Sequence, residues 1–179
     1  PHRPWPRLNL GPAPSLTAAM TARPVAIHQR TEGTAEVVLR AGHVRRLYTR
    51  GSAKAILLAG SLPEVVFLNT AGGLTGGDRL DYALTTDRAT SATTQTAERA
   101  YRADEGRAEV SVRLSVTAGR LDWLPQETIL FDRAALTRRT RIDLGPAAEC
   151  LMVESIVLGR AAMGETVPRL ALDDRREVT

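Results

Sequence analysis

Val110-Ser111-Val112-Arg113-Leu114-Ser115-Val116 alternates apolar and polar residues without a break. Val110, Val112, Leu114 and Val116 point one way and Ser111, Arg113 and Ser115 the other, the period of two of a half-buried β-strand. Thr117-Ala118-Gly119-Arg120 then turns the chain, and Leu121 and Trp123 flank Asp122 as a returning strand. Val110 to Leu124 therefore reads as a hairpin ended by Pro125, with Trp123 in the core. The same signature recurs outward in both directions. Val37 and Leu39 stand against Glu36 and Arg40, Val65 to Leu68 is a continuous apolar run, and Leu80, Tyr82 and Leu84 alternate with Asp81 and Ala83. Thr140, Ile142 and Leu144 form a further strand that Gly145-Pro146 stops. Cys150 to Leu158, apolar on both faces apart from Glu154 and Ser155, reads as a central buried strand. Thr94 to Arg102 suits either one and a half helical turns or a strand. No fixed-period repeat is visible, and the whole predicts an all-β domain with non-local pairing.

The 179 residues, 43% of them hydrophobic, suit one domain with a single core. One cysteine excludes a disulfide scaffold; Cys150, beside Leu151, Met152 and Val153, reads as a small buried hydrophobe in a reducing cytoplasm. The apolar runs are too short to span a bilayer, and Pro1 to Pro24 lacks the uninterrupted apolar core of a secretory signal. Residues 1–28, rich in Pro and Ala, read as a disordered leader to a folded unit over 29–179. The net charge of +4 comes from 23 arginines and a single lysine, Lys54, against 20 acidic residues. Such a skew reads as compositional bias, and Arg138, Arg139 and Arg141 as the outer face of a strand. Seven aromatic residues, none interleaved with that cluster, argue against a nucleic-acid partner.

Asn69-Thr-Ala-Gly-Gly-Leu-Thr-Gly-Gly-Asp78 places Gly72, Gly73, Gly76 and Gly77 within six positions. Glycine-rich turns cradle phosphates when a helix follows. Here Asp78 and Arg79 occupy the places of the P-loop Lys and Ser/Thr, and a strand follows. The stretch reads as a backbone-shaped turn between two strands, packed within the scaffold or against a partner. Gly-x-Ser-x-Gly and His-Glu-x-x-His are absent, and His2, His28 and His43 all precede the first strong motif, so no His-based triad or metal cage is expected.

The carboxylates carry the remaining chemistry. An ionised carboxylate buried alone costs several kcal/mol, so Glu154 must be paired, protonated or lining a wet passage. A salt bridge to Arg160 or Arg141 is the structural expectation, and transient cation ligation the functional one. Asp78, Asp81, Asp132 and Glu165, in or beside loops, offer oxygens in the same way. Oxygen-only sets hold transition metals less tightly than thiolate or imidazole sets, which suits transfer rather than storage.

Four separated segments, Asn69 to Asp78, Thr93 to Arg102 (Thr-Thr-Gln-Thr-Ala-Glu-Arg-Ala-Tyr-Arg), Trp123 to Asp132 (Trp-Leu-Pro-Gln-Glu-Thr-Ile-Leu-Phe-Asp) and Gly159 to Glu165 (Gly-Arg-Ala-Ala-Met-Gly-Glu), resemble the urease accessory protein family UreD, also called UreH. The likeness covers about Gln29 to Val178. It implies an all-β, helical-sheet or solenoid-like scaffold with few short helices, and a nickel-delivery chaperone rather than an enzyme. The implied partners are the urease apoprotein, UreF and, through UreF, the GTPase UreG, with Ni²⁺ in transit and no tightly bound cofactor. The metal route is expected to use Glu154, Asp78, Asp81, Asp132 and Glu165. Asn69, the four glycines, Gln95, Tyr101, Pro125, Phe131 and Arg160 carry the structural or partner motif. Members of the family continue past the segment matching Gly159 to Glu165, so the chain reads as C-terminally incomplete. The competing expectation is a carbohydrate-active or binding module on an all-β scaffold, with paired carboxylates and an exposed aromatic platform.

Overall fold

The computed structural model describes residues 30–58 and 60–179; the expected leader, with His2 and His28, lies outside the described residues. In chain order the strands are β1 (Glu32–Arg40), β2 (His43–Gly51), β3 (Ala53–Leu58), β4 (Glu64–Asn69), β5 (Arg79–Thr86), β6 (Thr90–Gln95), β7 (Glu98–Ala100), β8 (Ala108–Val116), β9 (Gly119–Trp123), β10 (Thr128–Leu130), β11 (Ala135–Leu144), β12 (Ala148–Met152), β13 (Ile156–Leu158) and β14 (Ala171–Val178). A 3₁₀ turn at Ala161–Met163 is the sole helical element among the described residues.

The strands form three sheets, ordered β14-β11-β8-β5-β1-β2, β12-β9-β6-β4-β3 and β13-β10-β7. From β5 onward the chain visits the six-stranded, five-stranded and three-stranded sheets in rotation, and each strand pairs in parallel with its equivalent one coil later. This is a stacked-coil, solenoid-like β architecture. Its period is irregular: Arg79 lies beside Glu109, Ala108 beside Leu136, but Ala135 beside Ala171. Unequal corners of this kind erase any repeat from the sequence.

Parallel coiling corrects two expectations. Val110 to Leu124 is not a hairpin, because Thr117-Ala118 carries the chain round a corner from the six-stranded to the five-stranded sheet. Thr117 N–H donates to Thr86 O of the preceding coil, pinning that corner to its neighbour. Cys150 to Leu158 is not a central buried strand either. It bends at Val153–Ser155, and β12 and β13 are edge strands of two sheets, leaving Leu151, Val153, Ile156, Val157 and Leu158 exposed. Thr94 to Arg102 resolves as the end of β6 and all of β7.

Side chains of one parity fill the solenoid in rows set by register. Val37, Leu84, Leu114 and Ile142 form one row and are all buried. Trp123, 1% exposed, packs edge-on to Phe67, whose ring in turn lies 5.0 Å from that of Tyr82. Burying an aromatic core of this size supplies a large share of the folding free energy.

Candidate functional site

The interior rows turn polar toward the last coil. Gly33, Leu80, Val110, Arg138 and Asp174 are successive register partners, so Arg138 and Asp174 occupy places filled by apolar side chains one and two coils earlier. Arg138 is therefore not on the outer face with Arg139 and Arg141; it shares the inward parity of Leu136, Thr140 and Ile142 and is 7% exposed. Its Nε and Nη2 donate to Asp174 Oδ1 and Oδ2 at 3.0 and 2.6 Å, and Nη1 donates to Thr128 Oγ1 at 3.2 Å.

Glu154, at the corner between β12 and β13, completes this cluster. Its Oε1 accepts from Trp123 Nε1 at 3.2 Å, and its Oε2 accepts from Arg176 Nε at 2.7 Å and lies 3.6 Å from Arg138 Nη2. Arg176 also reaches Asp174 at 3.0 Å. The partners of Glu154 are thus Arg138 and Arg176, not Arg160 or Arg141. Two carboxylates and two guanidinium groups balance, as buried charges must. Burial pushes the Asp174 carboxyl up, but the Arg138 and Arg176 guanidinium groups overcome it and hold it below the usual carboxylate range.

A further carboxylate, the half-buried Glu98, lies in the three-stranded sheet beside Thr128 in register. Among the described residues it has no salt-bridge partner within 4 Å. Asn69 Nδ2 donates to its two oxygens at 3.2 and 3.3 Å, and the backbone N–H of Arg99 donates at 3.1 Å. Burial raises the Glu98 carboxyl above the usual range, and burial followed by the Glu98 charge drives the Tyr82 phenol upward as well. A cavity of about 40 Å³ is lined by Tyr82, Glu98, Trp123, Thr128, Arg138 and Glu154 among others. A smaller one of about 20 Å³ shares Tyr82, Thr94 and Glu98 with it and reaches Asn69, Gly72 and Gly73. Polar groups thus run through the interior from the glycine turn to the Arg138 cluster.

The glycine turn builds the first coil of that interior. Leu74, 1% exposed, makes a parallel bridge to Ala100 and so extends the three-stranded sheet by one rung. Leu74 N–H donates to Arg99 O at 2.7 Å, and Tyr101 N–H donates to Leu74 O at 2.8 Å. Gly73 has φ +151, and a Cβ there would run into the Tyr101 ring; at Gly76 it would run into Glu105 O. Close backbone packing within the scaffold therefore explains both glycines. Asn69 Oδ1 accepts from Ala71 N–H at 3.0 Å, which turns its amide nitrogen toward Glu98.

The other expected ligands are dispersed. Asp78 is buried, but its two oxygens accept from the backbone N–H groups of Thr31 and Thr75 at 2.8 and 2.7 Å, the work of a turn clamp. Asp81 bridges Arg79 and Arg113, Asp132 faces Arg133 and accepts from Arg169 N–H, and Glu165 pairs with Arg160. Among the described residues no group of three or more His, Cys, Asp or Glu is placed to hold a metal ion. Tyr101 stacks on Phe131 at 4.8 Å, and the Arg160 guanidinium lies 5.1 Å from the Phe131 ring centre, so residues from three successive coils meet on one outer corner. Gln95 ends β6 beside the smaller cavity, and Pro125 lines the larger.

Sequence reading missed Glu98, Arg138, Asp174 and Arg176. Parity was the available signal, since Arg138 is in phase with Leu136 and Ile142.

The profile of the family described as UreD urease accessory protein matches residues 32–179, nearly all of the described chain. The chain belongs to the UreD family. Urease accessory protein UreD of Cereibacter sphaeroides is 60% identical over 160 residues, covering 84% of this chain and 58% of the relative. That of Paracoccus denitrificans is 54% identical over 155 residues, 84% of this chain and 56% of the relative. That of Rhizobium etli is 48% identical over 156 residues, 82% and 57% respectively. The chain thus spans a little under three fifths of the length of these UreD relatives. Membership supports a role in urease maturation, and the relatives are named as accessory proteins rather than enzymes. No helix among the described residues is long and apolar enough to cross a membrane.

Proposed function

We propose that this chain serves as a nickel-insertion scaffold that binds the urease apoprotein and UreF, and UreG through UreF, in the cytoplasm. Family membership supports the maturation role. The route for Ni²⁺ is the solenoid interior, and the observation that carries it is the pair of cavities that share Tyr82, Thr94 and Glu98 in their linings, with Glu154 lining the larger. Transfer demands weak oxygen ligation at successive points, so that an ion enters one position and leaves for the next. Glu98 meets that demand best. Its hydrogen-bond donors are the Asn69 amide and the Arg99 backbone N–H, with no salt bridge among the described residues, whereas Glu154 already serves two guanidinium groups.

The division of labour leaves GTP hydrolysis to the partner. The glycine turn leads into β5 rather than a helix, and Trp123 is sealed in the core rather than offered as a sugar platform. Co-purification of a full-length version with UreF and apo-urease tests the scaffold reading, and failure to co-purify with either would sink it. Complementation of a strain lacking this accessory protein, scored as urease activity with added nickel, tests this chain and an extended version side by side.

A further inference from the structure

At the end of the solenoid opposite the Arg138 cluster, β2 pairs, among the described residues, on one side only, antiparallel to β1, and ends the six-stranded sheet. All nine of its residues are exposed. Register assigns its two faces. Leu47 lies beside Val37 and Val44 beside Leu39, both buried on β1, yet Leu47 and Val44 are each 51% exposed. Arg46, Tyr48 and Arg50 lie beside Val38, Glu36 and Thr34 on the other face. A cavity of about 180 Å³ opens next to Val44, bounded by Leu39, Leu57, Leu58 and Pro63, with Arg88 at its rim.

β2 carries three arginines and no acid, and only Arg46 has a carboxylate partner within the sheet, Glu36 at 2.7 Å. A long strand edge is usually protected by charge. Protection alone would not set Arg46 and Arg50 on one face and leave half-exposed Val44 and Leu47 on the other, Val44 beside an apolar cavity.

We propose that β2 is a docking edge for an extended, acidic segment of a partner protein, which adds to the six-stranded sheet as one more strand. Main-chain hydrogen bonds along the free edge supply the affinity and alternate side chains the specificity. Carboxylates of the incoming strand meet Arg46 and Arg50. Its apolar residues cover Val44 and Leu47, one of them entering the cavity. Charge decides against a second copy of this chain, because two β2 strands pairing edge to edge would bring arginines together without an acid between them. The proposal is independent of the nickel route.

The test uses the whole chain and a blocked synthetic peptide, Thr-Glu-Leu-Glu-Val-Glu-Thr, followed by hydrogen exchange and fluorescence anisotropy. The expected result is slowed exchange of the β2 amides on peptide addition, with an affinity that drops at least about tenfold for Arg46→Glu combined with Arg50→Glu, a loss of about 1.4 kcal/mol. N-methylation of alternate peptide nitrogens, which leaves the protein untouched, should abolish binding for one of the two methylation patterns. The proposal is overturned by no β2 protection at millimolar peptide, by equal binding of the peptide with Lys for Glu, by β2 protection in the chain alone, or by protection that instead tracks self-association.

Discussion

Replacing Arg138 by leucine tests whether the inward turn of one guanidinium holds the last coil together. Arg138 makes two hydrogen bonds to Asp174 and one to Thr128, and its Nη2 lies 3.6 Å from Glu154. The side chains of Arg138, Asp174 and Glu154 are 9%, 8% and 4% exposed, so water cannot replace what is lost. Removing one partner from a buried ion pair costs about 3–5 kcal/mol. Arg176 still serves both carboxylates, which places this substitution near the lower bound, at about 3 kcal/mol. Leucine also restores the apolar row of Leu80 and Val110, so Arg138→Leu with Asp174→Leu, which leaves Glu154 paired to Arg176, should recover most of the loss. The pH dependence has a definite sign. A carboxyl held low in the folded state contributes stability above its unfolded pKa of about 3.9 and loses it as pH falls through the lower folded value. The gap between wild type and Arg138→Leu should therefore narrow below about pH 4. Urea denaturation followed by tryptophan fluorescence measures all of this. A loss under about 1 kcal/mol at pH 7, within the range of an exposed pair, would refute the inward placement of Arg138.

Glu98→Gln should behave in the opposite sense. A carboxyl raised by burial binds more protons folded than unfolded between its two pKa values, so stability falls as pH rises through that window. The variant should be more stable than wild type at pH 7 and equal to it in acid, read from denaturation midpoints at both pH values. Gly73→Ala forces a side chain into a glycine conformation and against Tyr101, and should cost about 1–3 kcal/mol while weakening the near-UV circular dichroism of the Tyr101–Phe131 stack. Trp123→Phe keeps an aromatic side chain but removes the donor to Glu154, and a loss of about 1–3 kcal/mol is expected in urea denaturation followed by far-UV circular dichroism, since the substitution removes the fluorescent reporter.

The individual strands were legible because alternation is local: Val110 to Val116 and Leu80 to Leu84 stand where their patterns put them. Their partners were not, because parity is silent on whether a neighbour is the next strand or one a coil away. Thr117 to Arg120 has the composition of a hairpin turn, and only the bond from Thr117 to Thr86 makes it a corner. The resemblance to UreD supplied the coiled arrangement that periodicity could not. At the site, Glu154 was conspicuous as a charge inside an apolar run. Glu98 and Arg138 were hidden, one between Ala97 and Arg99 at the start of a strand of three residues, the other within an arginine cluster that reads as the outer face of a strand. Asp78 is ambiguous for a related reason, since a carboxylate that clamps backbone N–H groups, as it does, and one that binds a cation look alike in a loop sequence.

The passage of nickel past Glu98 is the claim most open to direct measurement. A full-length protein carrying Glu98→Gln, assembled with UreF and apo-urease, should form the complex as wild type does. At limiting nickel it should activate urease well below the wild-type level, with the deficit closing as nickel is raised. Wild-type activation at limiting nickel, with the complex intact, would contradict the interior route.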